Sequence, residues 1–107
     1  MNLEAFLNNY ADIEQIWQDF LQKTLTYRNS SALGMTALRI CHYVTRHPNC
    51  ALKEIALTLN ISLGSASQMV QAMTVGGLLK CNQNKTDRRR ISITPQTVLI
   101  DFFASIS

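Results

Sequence analysis

Nowhere does the sequence run through the ~18 consecutive apolar residues that a membrane-crossing helix needs. It opens Met-Asn-Leu-Glu, without the basic-then-apolar pattern of an export signal. These two absences point to a cytoplasmic protein with no membrane partner. Only two prolines and four glycines occur among 107 residues, with no low-complexity tract, internal repeat or long linker. One domain over residues 1–107 is therefore expected rather than two. No Ser-His-Asp or Cys-His order is evident, no glycine-rich phosphate loop follows a strand, and no carboxylate pair sits in an apolar setting. An enzyme is the poorest reading, and no cofactor is implied.

Acidic residues become scarce after the first fifth of the chain. Residues 1–22 hold Glu4, Asp12, Glu14 and Asp19 with no Lys or Arg, a net −4, whereas residues 23–107 hold ten bases and three acids, a net +7. The basic part suits a polyanionic partner, and the acidic part is expected to lie away from it.

Within the basic part, Leu52, Ile55, Ala56 and Leu59 recur at i, i+3, i+4 and i+7, the stripe of a short helix. Asn60 tolerates the left-handed conformation of a tight turn, Ile61 offers a core plug, and Ser62 can cap a second helix. In that second helix Ala66, Met69, Val70 and Met73 repeat the spacing. The other face carries Gly64, Ser65, Ser67, Gln68 and Gln71. With Ser62 before it, this face has small residues near its start, where a backbone can approach phosphates, and amides further on that can pair with base edges.

Gly76 and Gly77 close the second helix, and Leu78, Leu79 and Cys81 begin an extended segment. Its return strand runs Arg90-Ile91-Ser92-Ile93-Thr94 around a polar tip from Asn82 to Thr86. Lys80, Lys85, Arg88, Arg89 and Arg90 against Asp87 give this two-stranded hairpin a local +4. Such a ribbon can lay arginines on a sugar-phosphate wall or into a narrow minor groove. Helix, turn, helix and basic ribbon together point to double-stranded DNA.

Leu52-Lys53-Glu54-Ile55-Ala56, Asn60-Ile61-Ser62 and Gly77-Leu78-Leu79 carry a resemblance to a family, as above all does Asp87-Arg88-Arg89 leading to Ile91-Ser92-Ile93-Thr94-Pro95. Together, over roughly residues 33 to 95, they resemble the winged-helix core of the MarR family of bacterial transcriptional regulators. The resemblance implies that a wing arginine, Arg89, enters the minor groove while Asp87 helps to hold the wing. The stretch from Asp87 to Thr94 is about two residues shorter than the family's usual wing, so Arg88 and Arg90 remain candidates for the inserting role. The second helix lacks the basic residue often found there, which shifts affinity toward the wing. The chain also ends early for the family, without the second of its usual C-terminal helices.

The acidic segment repeats Phe6, Tyr10, Ile13, Trp17, Phe20 and Thr24 at alternating spacings of 4 and 3, widened by Leu3, Leu7, Ile16 and Leu21. Thr94 as cap and Pro95 as first helical residue are expected to open a last helix carrying Val98, Leu99, Phe102, Phe103 and Ile106. Two such helices have more apolar surface than a small wing domain covers. A dimer interface built from Phe6, Tyr10, Ile13, Trp17, Phe20, Phe102, Phe103 and Ile106 is expected, with the long N-terminal helix dominant. The alternative is that these helices complete the core of one chain. Leu33, Ala37, Ile40, Cys41 and Val44 form a further stripe that ends before Pro48. Tyr10, Trp17, Tyr27 and Tyr43 are weighed between core and a crevice for the small aromatic effectors that the resemblance implies.

Cys41, Cys50 and Cys81 all fall where an aliphatic would fit and can be buried hydrophobes. Their spacing matches no zinc signature, although His42 and His47 lie close by, and no metal site is assigned. Cys81, at the edge of the wing beside Lys80, is the thiol best placed to sense an oxidant.

The expectation is thus a mainly α (α+β) winged helix-turn-helix: an N-terminal dimerisation helix over 1–28, a DNA-binding core over 31–94 and a C-terminal helix over 95–107. Its function would be that of a homodimeric, nucleoid-associated repressor on a pseudo-palindromic operator. The rival, from another class, is a winged protein-interaction module, an antirepressor or assembly subunit without specific DNA binding.

Overall fold

A computed structural model describes residues 3–24, 33–83, 86 and 90–106. Among these residues the order is α1 (Leu3–Thr24), α2 (Met35–Arg46), β1 (Cys50–Ala51), α3 (Leu52–Leu59), α4 (Leu63–Val75), β2 (Leu79–Gln83), β3 (Ile91–Pro95) and α5 (Thr97–Ile106). The fold is a winged helix-turn-helix carried between two terminal helices.

α2 is the scaffold. Its expected stripe of Ala37, Ile40, Cys41 and Val44 is buried together with Leu38. The helix stops at Arg46, where the approach of Pro48 disfavours helical geometry. Asn49 then reverses the chain at φ 66° and donates its N–H to the Ile93 carbonyl at 3.0 Å. This begins an element that the residues alone did not announce. β1 pairs antiparallel with β3 at Cys50↔Ile93 and Ala51↔Ser92, so the ribbon belongs to a three-stranded sheet in the order β1-β3-β2. Two residues are too few to show an alternation.

The turn between α3 and α4 forms as its residues dictate. Asn60 sits in the left-handed region at φ 55°, ψ 48°. The N–H of Ile61 reaches back to the Ala56 carbonyl at 3.0 Å, and its side chain packs against the core. Ser62 caps α4, its Oγ accepting from the Ser65 N–H at 3.0 Å. At the other end Gly77 takes φ 86°, a conformation that favours glycine, and α4 closes through Leu78 N–H to the Met73 carbonyl at 2.9 Å.

β2 and β3 pair from Leu79↔Pro95 to Gln83↔Ile91. The Asn82 amide donates to Thr94 Oγ1 at 3.3 Å, and Ser92 Oγ donates to the Asn82 carbonyl at 3.4 Å. The expected start of the last helix is corrected here. Thr94 and Pro95 remain in β3, and α5 begins at Thr97, with the Gln96 carbonyl accepting from Leu99 and Ile100 at 3.0 and 3.2 Å. Pro95 ends a strand rather than opening a helix, and Gln96 N–H still bonds the Leu78 carbonyl at 2.9 Å. A proline without an N–H fits the end of a strand as well as it fits the first turn of a helix.

The terminal helices require a second correction. Trp17, expected at a subunit interface, has no accessible surface within one chain, and Phe102 is buried as well. Trp17, Phe20 and Phe102 form an aromatic cluster with centroid distances of 5.8, 5.8 and 4.2 Å. The Trp17 indole N–H donates to the Leu33 carbonyl at 3.2 Å, pinning α1 to the entry of α2. An indole with its apolar body buried and its one donor satisfied is core. Tyr10, Ile13, Ile16, Val98, Ile100 and Ile106 stay exposed, so α1 and α5 carry part of the apolar surface that one chain leaves over. Phe6 falls in the N-terminal part of α1. No described helix is long and apolar enough to cross a membrane.

Candidate nucleic-acid interface

The exposed face of α4 is built by its buried one. Ala66, Val70 and Met73 are fixed in the core, which turns Gly64, Ser65, Ser67, Gln68 and Gln71 to solvent. Ser62 and Ser65 bond each other, Oγ to Oγ at 2.9 Å. The Ser65 and Ala66 N–H groups are taken by Ser62, which leaves the Leu63 and Gly64 N–H groups at the positive end of the helix to meet an anion. A Cβ built on Gly64 meets nothing within 4 Å. Gln68 and Gln71 are exposed, and among the described residues their amides have no hydrogen-bond partner in the chain, so both remain available to an outside donor-acceptor pair.

The ribbon lies beside this helix. Lys80 is exposed on β2 and Arg90 just before β3, at the turn end of the ribbon. Lys85, Asp87, Arg88 and Arg89 lie outside the described residues. A concavity of about 660 Å³ separates the starts of α3 and α4 from the ribbon, and Lys53, Asn82, Gln83 and Arg90 are among its lining residues. Lys53 is a cation on this side that the reading of the residues passed over. Its signal was the first turn of α3, where a side chain flanks the same approach as the cap of α4.

Cys81 corrects another expectation. It follows Leu79 at i+2 on β2, yet Leu79 is buried and Cys81 is exposed. The strand runs out beyond the core, where the Cys81 sulfur meets Thr74 Oγ1 at 3.5 Å. Cys41 and Cys50 are buried, as their positions suggested. Burial pushes the Cys41 thiol far up and the Cys50 thiol up to about 11, the latter with a smaller contribution from Glu54. Neither forms the reactive thiolate near neutral pH. Among the described residues no three His, Cys, Asp or Glu side chains converge as a metal site would require.

A crevice does exist beside the terminal helices, but the tyrosines do not line it. A groove of about 690 Å³ lies between α1, α2 and α5, walled by Ile13, Ile16, Leu38, Ile100, Phe103 and Ile106 and edged by Arg39, His42 and Arg46. Trp17 is sealed in the core. Tyr43 faces another way, stacking on His47 at 4.5 Å and donating its hydroxyl to the Glu54 carboxylate, which raises the phenol pKa. Tyr10 is exposed on α1 and does not line the groove, and Tyr27 lies outside the described residues.

A helix-turn-helix whose second helix stands free beside an antiparallel ribbon defines the winged-helix class. No family model matches the sequence, and no curated protein does. Solved structures place the fold more narrowly, as that of the MarR-type regulators. MarR superposes with a TM-score of 0.68 at 14% identity, over 99% of this chain and 73% of MarR. Streptococcus pneumoniae FabT in complex with DNA gives 0.68 at 11% identity, over 96% and 71%. The S. aureus MepR-DNA complex gives 0.67 at 16% identity, over 96% and 79%. At such identities the likeness is one of fold, and the side chains of this chain carry the functional argument.

Proposed function

We propose that this chain is a sequence-specific double-stranded DNA-binding transcriptional regulator that acts as a homodimeric repressor. The observation that carries the reading is the exposed face of α4: small at its capped start, furnished with two unpartnered amides further on, and flanked by a basic ribbon. α4 enters the major groove, where Gln68 and Gln71 meet base edges and Ser62, Gly64, Ser65 and Ser67 approach the backbone. Lys80, Lys85, Arg88, Arg89 and Arg90 follow the sugar-phosphate wall into the minor groove, with Asp87 steadying the wing. FabT and MepR have been solved with DNA on the same fold, which supports this reading.

The reading head runs from α2 to β3, and the terminal helices α1 and α5 join two copies. The exposed apolar residues of α1 and α5 are the surface for that contact, and two heads then meet successive major grooves of a pseudo-palindromic site. A small aromatic effector fits the α1-α2-α5 groove, with Phe103 as its stacking ring, better than the tyrosine crevice. A protein-interaction module remains the second reading, favoured by the lack of any Lys or Arg on the exposed face of α4.

Binding to random duplex at increasing salt separates the two. A DNA reader shows a linear fall of log affinity with log salt, and replacing Arg88, Arg89 and Arg90 by Ala flattens the slope by about one unit for each phosphate contact removed. No binding at low salt would overturn the DNA reading. An unchanged slope in the triple variant would remove the wing as electrostatic anchor.

A further inference from the structure

A large apolar side chain is exposed at the very start of α4, on the proposed DNA side of the chain. Leu63, the first residue of α4, is 55% exposed directly after the Ser62 cap. Three residues before Ala66, it lies on the flank of the helix that turns toward the ribbon. There it lines the concavity between α3, α4 and the outer end of the ribbon together with Leu52 and Ile91, the latter 48% exposed. Lys53, Asn82 and Arg90 line the same concavity. Its lining therefore mixes three large apolar side chains with two cations and several polar groups.

That combination fits a particular part of a duplex. Cations beside the concavity complement a sugar-phosphate strand, whereas the Leu63 side chain offers a phosphate no hydrogen bond and gains most from an apolar contact. Base edges in the major groove carry one apolar group, the 5-methyl of thymine. A helix whose capped start enters the groove brings Leu63 to the base edges ahead of Gln68 and Gln71, one and two turns further along. Resting on the DNA-binding reading above, we propose that Leu63 selects thymine at one base pair of each half-site by packing on its 5-methyl group, with Lys53 holding the flanking phosphate. Specificity then has an apolar element at the start of α4 and a hydrogen-bonding element in its middle.

The test uses the full chain and a duplex selected by it from random sequence. Each thymine is replaced singly by deoxyuridine, which removes only the methyl, and affinity is followed by fluorescence anisotropy at fixed salt. One position per half-site should weaken binding about four- to tenfold, the range for withdrawing a single methyl from an apolar contact. Leu63→Ala should bind the thymine and uracil duplexes equally and lose thymine enrichment at that position in a repeated selection. Leu63→Met, which keeps an apolar contact, should retain the discrimination. Lys53→Ala should weaken both duplexes alike. Because Leu63 is half exposed, circular dichroism melting of Leu63→Ala should match the parent. The proposal is overturned if no thymine-to-uracil change affects the parent, or if Leu63→Ala keeps the same loss. Specific binding with indifference to the methyl sinks this assignment alone, whereas absence of any salt-dependent binding sinks the DNA reading and this assignment with it.

Discussion

Replacing Gly64 by Ala should move stability and DNA affinity in opposite directions. Gly64 lies in the first turn of α4 with ordinary helical geometry, is exposed, and has open space where a Cβ would stand. Nothing inside the chain uses the missing side chain. In a helix interior glycine is less favourable than alanine by about 0.5–1 kcal/mol, in large part because the unfolded glycine is freer. Alanine should therefore stabilise the fold by about that amount and raise Tm by about 2–8 °C in a domain of this size. The same methyl stands where the α4 backbone is proposed to approach a phosphate through the Leu63 and Gly64 N–H groups. Disturbing one charge-assisted hydrogen bond costs about 1.5–3 kcal/mol, a fall in affinity of roughly ten- to a hundredfold. Calorimetric melting and anisotropy on one duplex at one salt concentration give both numbers. A higher Tm with unchanged affinity would refute the close approach of the helix start. A lower Tm would refute the reading of Gly64 as free of internal constraint.

Gln68→Ala and Gln71→Ala should each lose about 1–3 kcal/mol at a different base pair and little elsewhere; a uniform loss in a repeated selection would mean that the amides touch only backbone. Trp17→Ala should unfold or grossly destabilise the chain, by about 3–5 kcal/mol, because the ring is core, whereas Ile13→Asp with Ile16→Asp should leave a folded chain that sediments as monomer. A dimeric charge variant would move the contact to α5. Cys81 should react with a thiol reagent at pH 8 in the native protein, and Cys41 and Cys50 should stay silent until unfolding. Burial lifts the Cys50 thiol from 9.0 to about 11, so between those values the unfolded chain releases a proton that the folded chain keeps. Stability should fall as pH rises through that window, and less steeply in Cys50→Ala, by denaturant titration at several pH values. Equal slopes would remove the thiol as the cause.

The reading head was legible because each device in it is local. A four-residue apolar stripe, an asparagine able to go left-handed and a serine placed to cap are contained within Leu52 to Met73, and each adopts the conformation that its own chemistry favours. What escaped was set by distant residues. β1 exists because Asn49 turns the chain onto β3, and two residues carry no periodic signal. Trp17 belongs to a stripe that continues through Tyr10, Ile13 and Phe20, and periodicity cannot say which part of a long stripe its own chain covers. The covering residues, Leu33 and Phe102, lie far along the sequence. Cys81 shares the side of β2 that Leu79 buries, but the alternation holds only as far as the core extends. The face of α4 followed from its buried residues, while Lys53 and Leu63 gained meaning only when the concavity brought the starts of two helices together.

Gln96 alone separates the end of β3 from the start of α5, and its N–H is tied to Leu78 beside the root of β2. There is no slack loop at this junction to absorb movement. A tilt of α5, whose Phe102 is wedged against Trp17 and Phe20, must therefore be transmitted to the strand that carries the wing, as a stiff lever transmits a turn of its handle. Were two chains joined through their terminal helices as proposed, the angle between those helices and the reach of the wings would become a single mechanical variable.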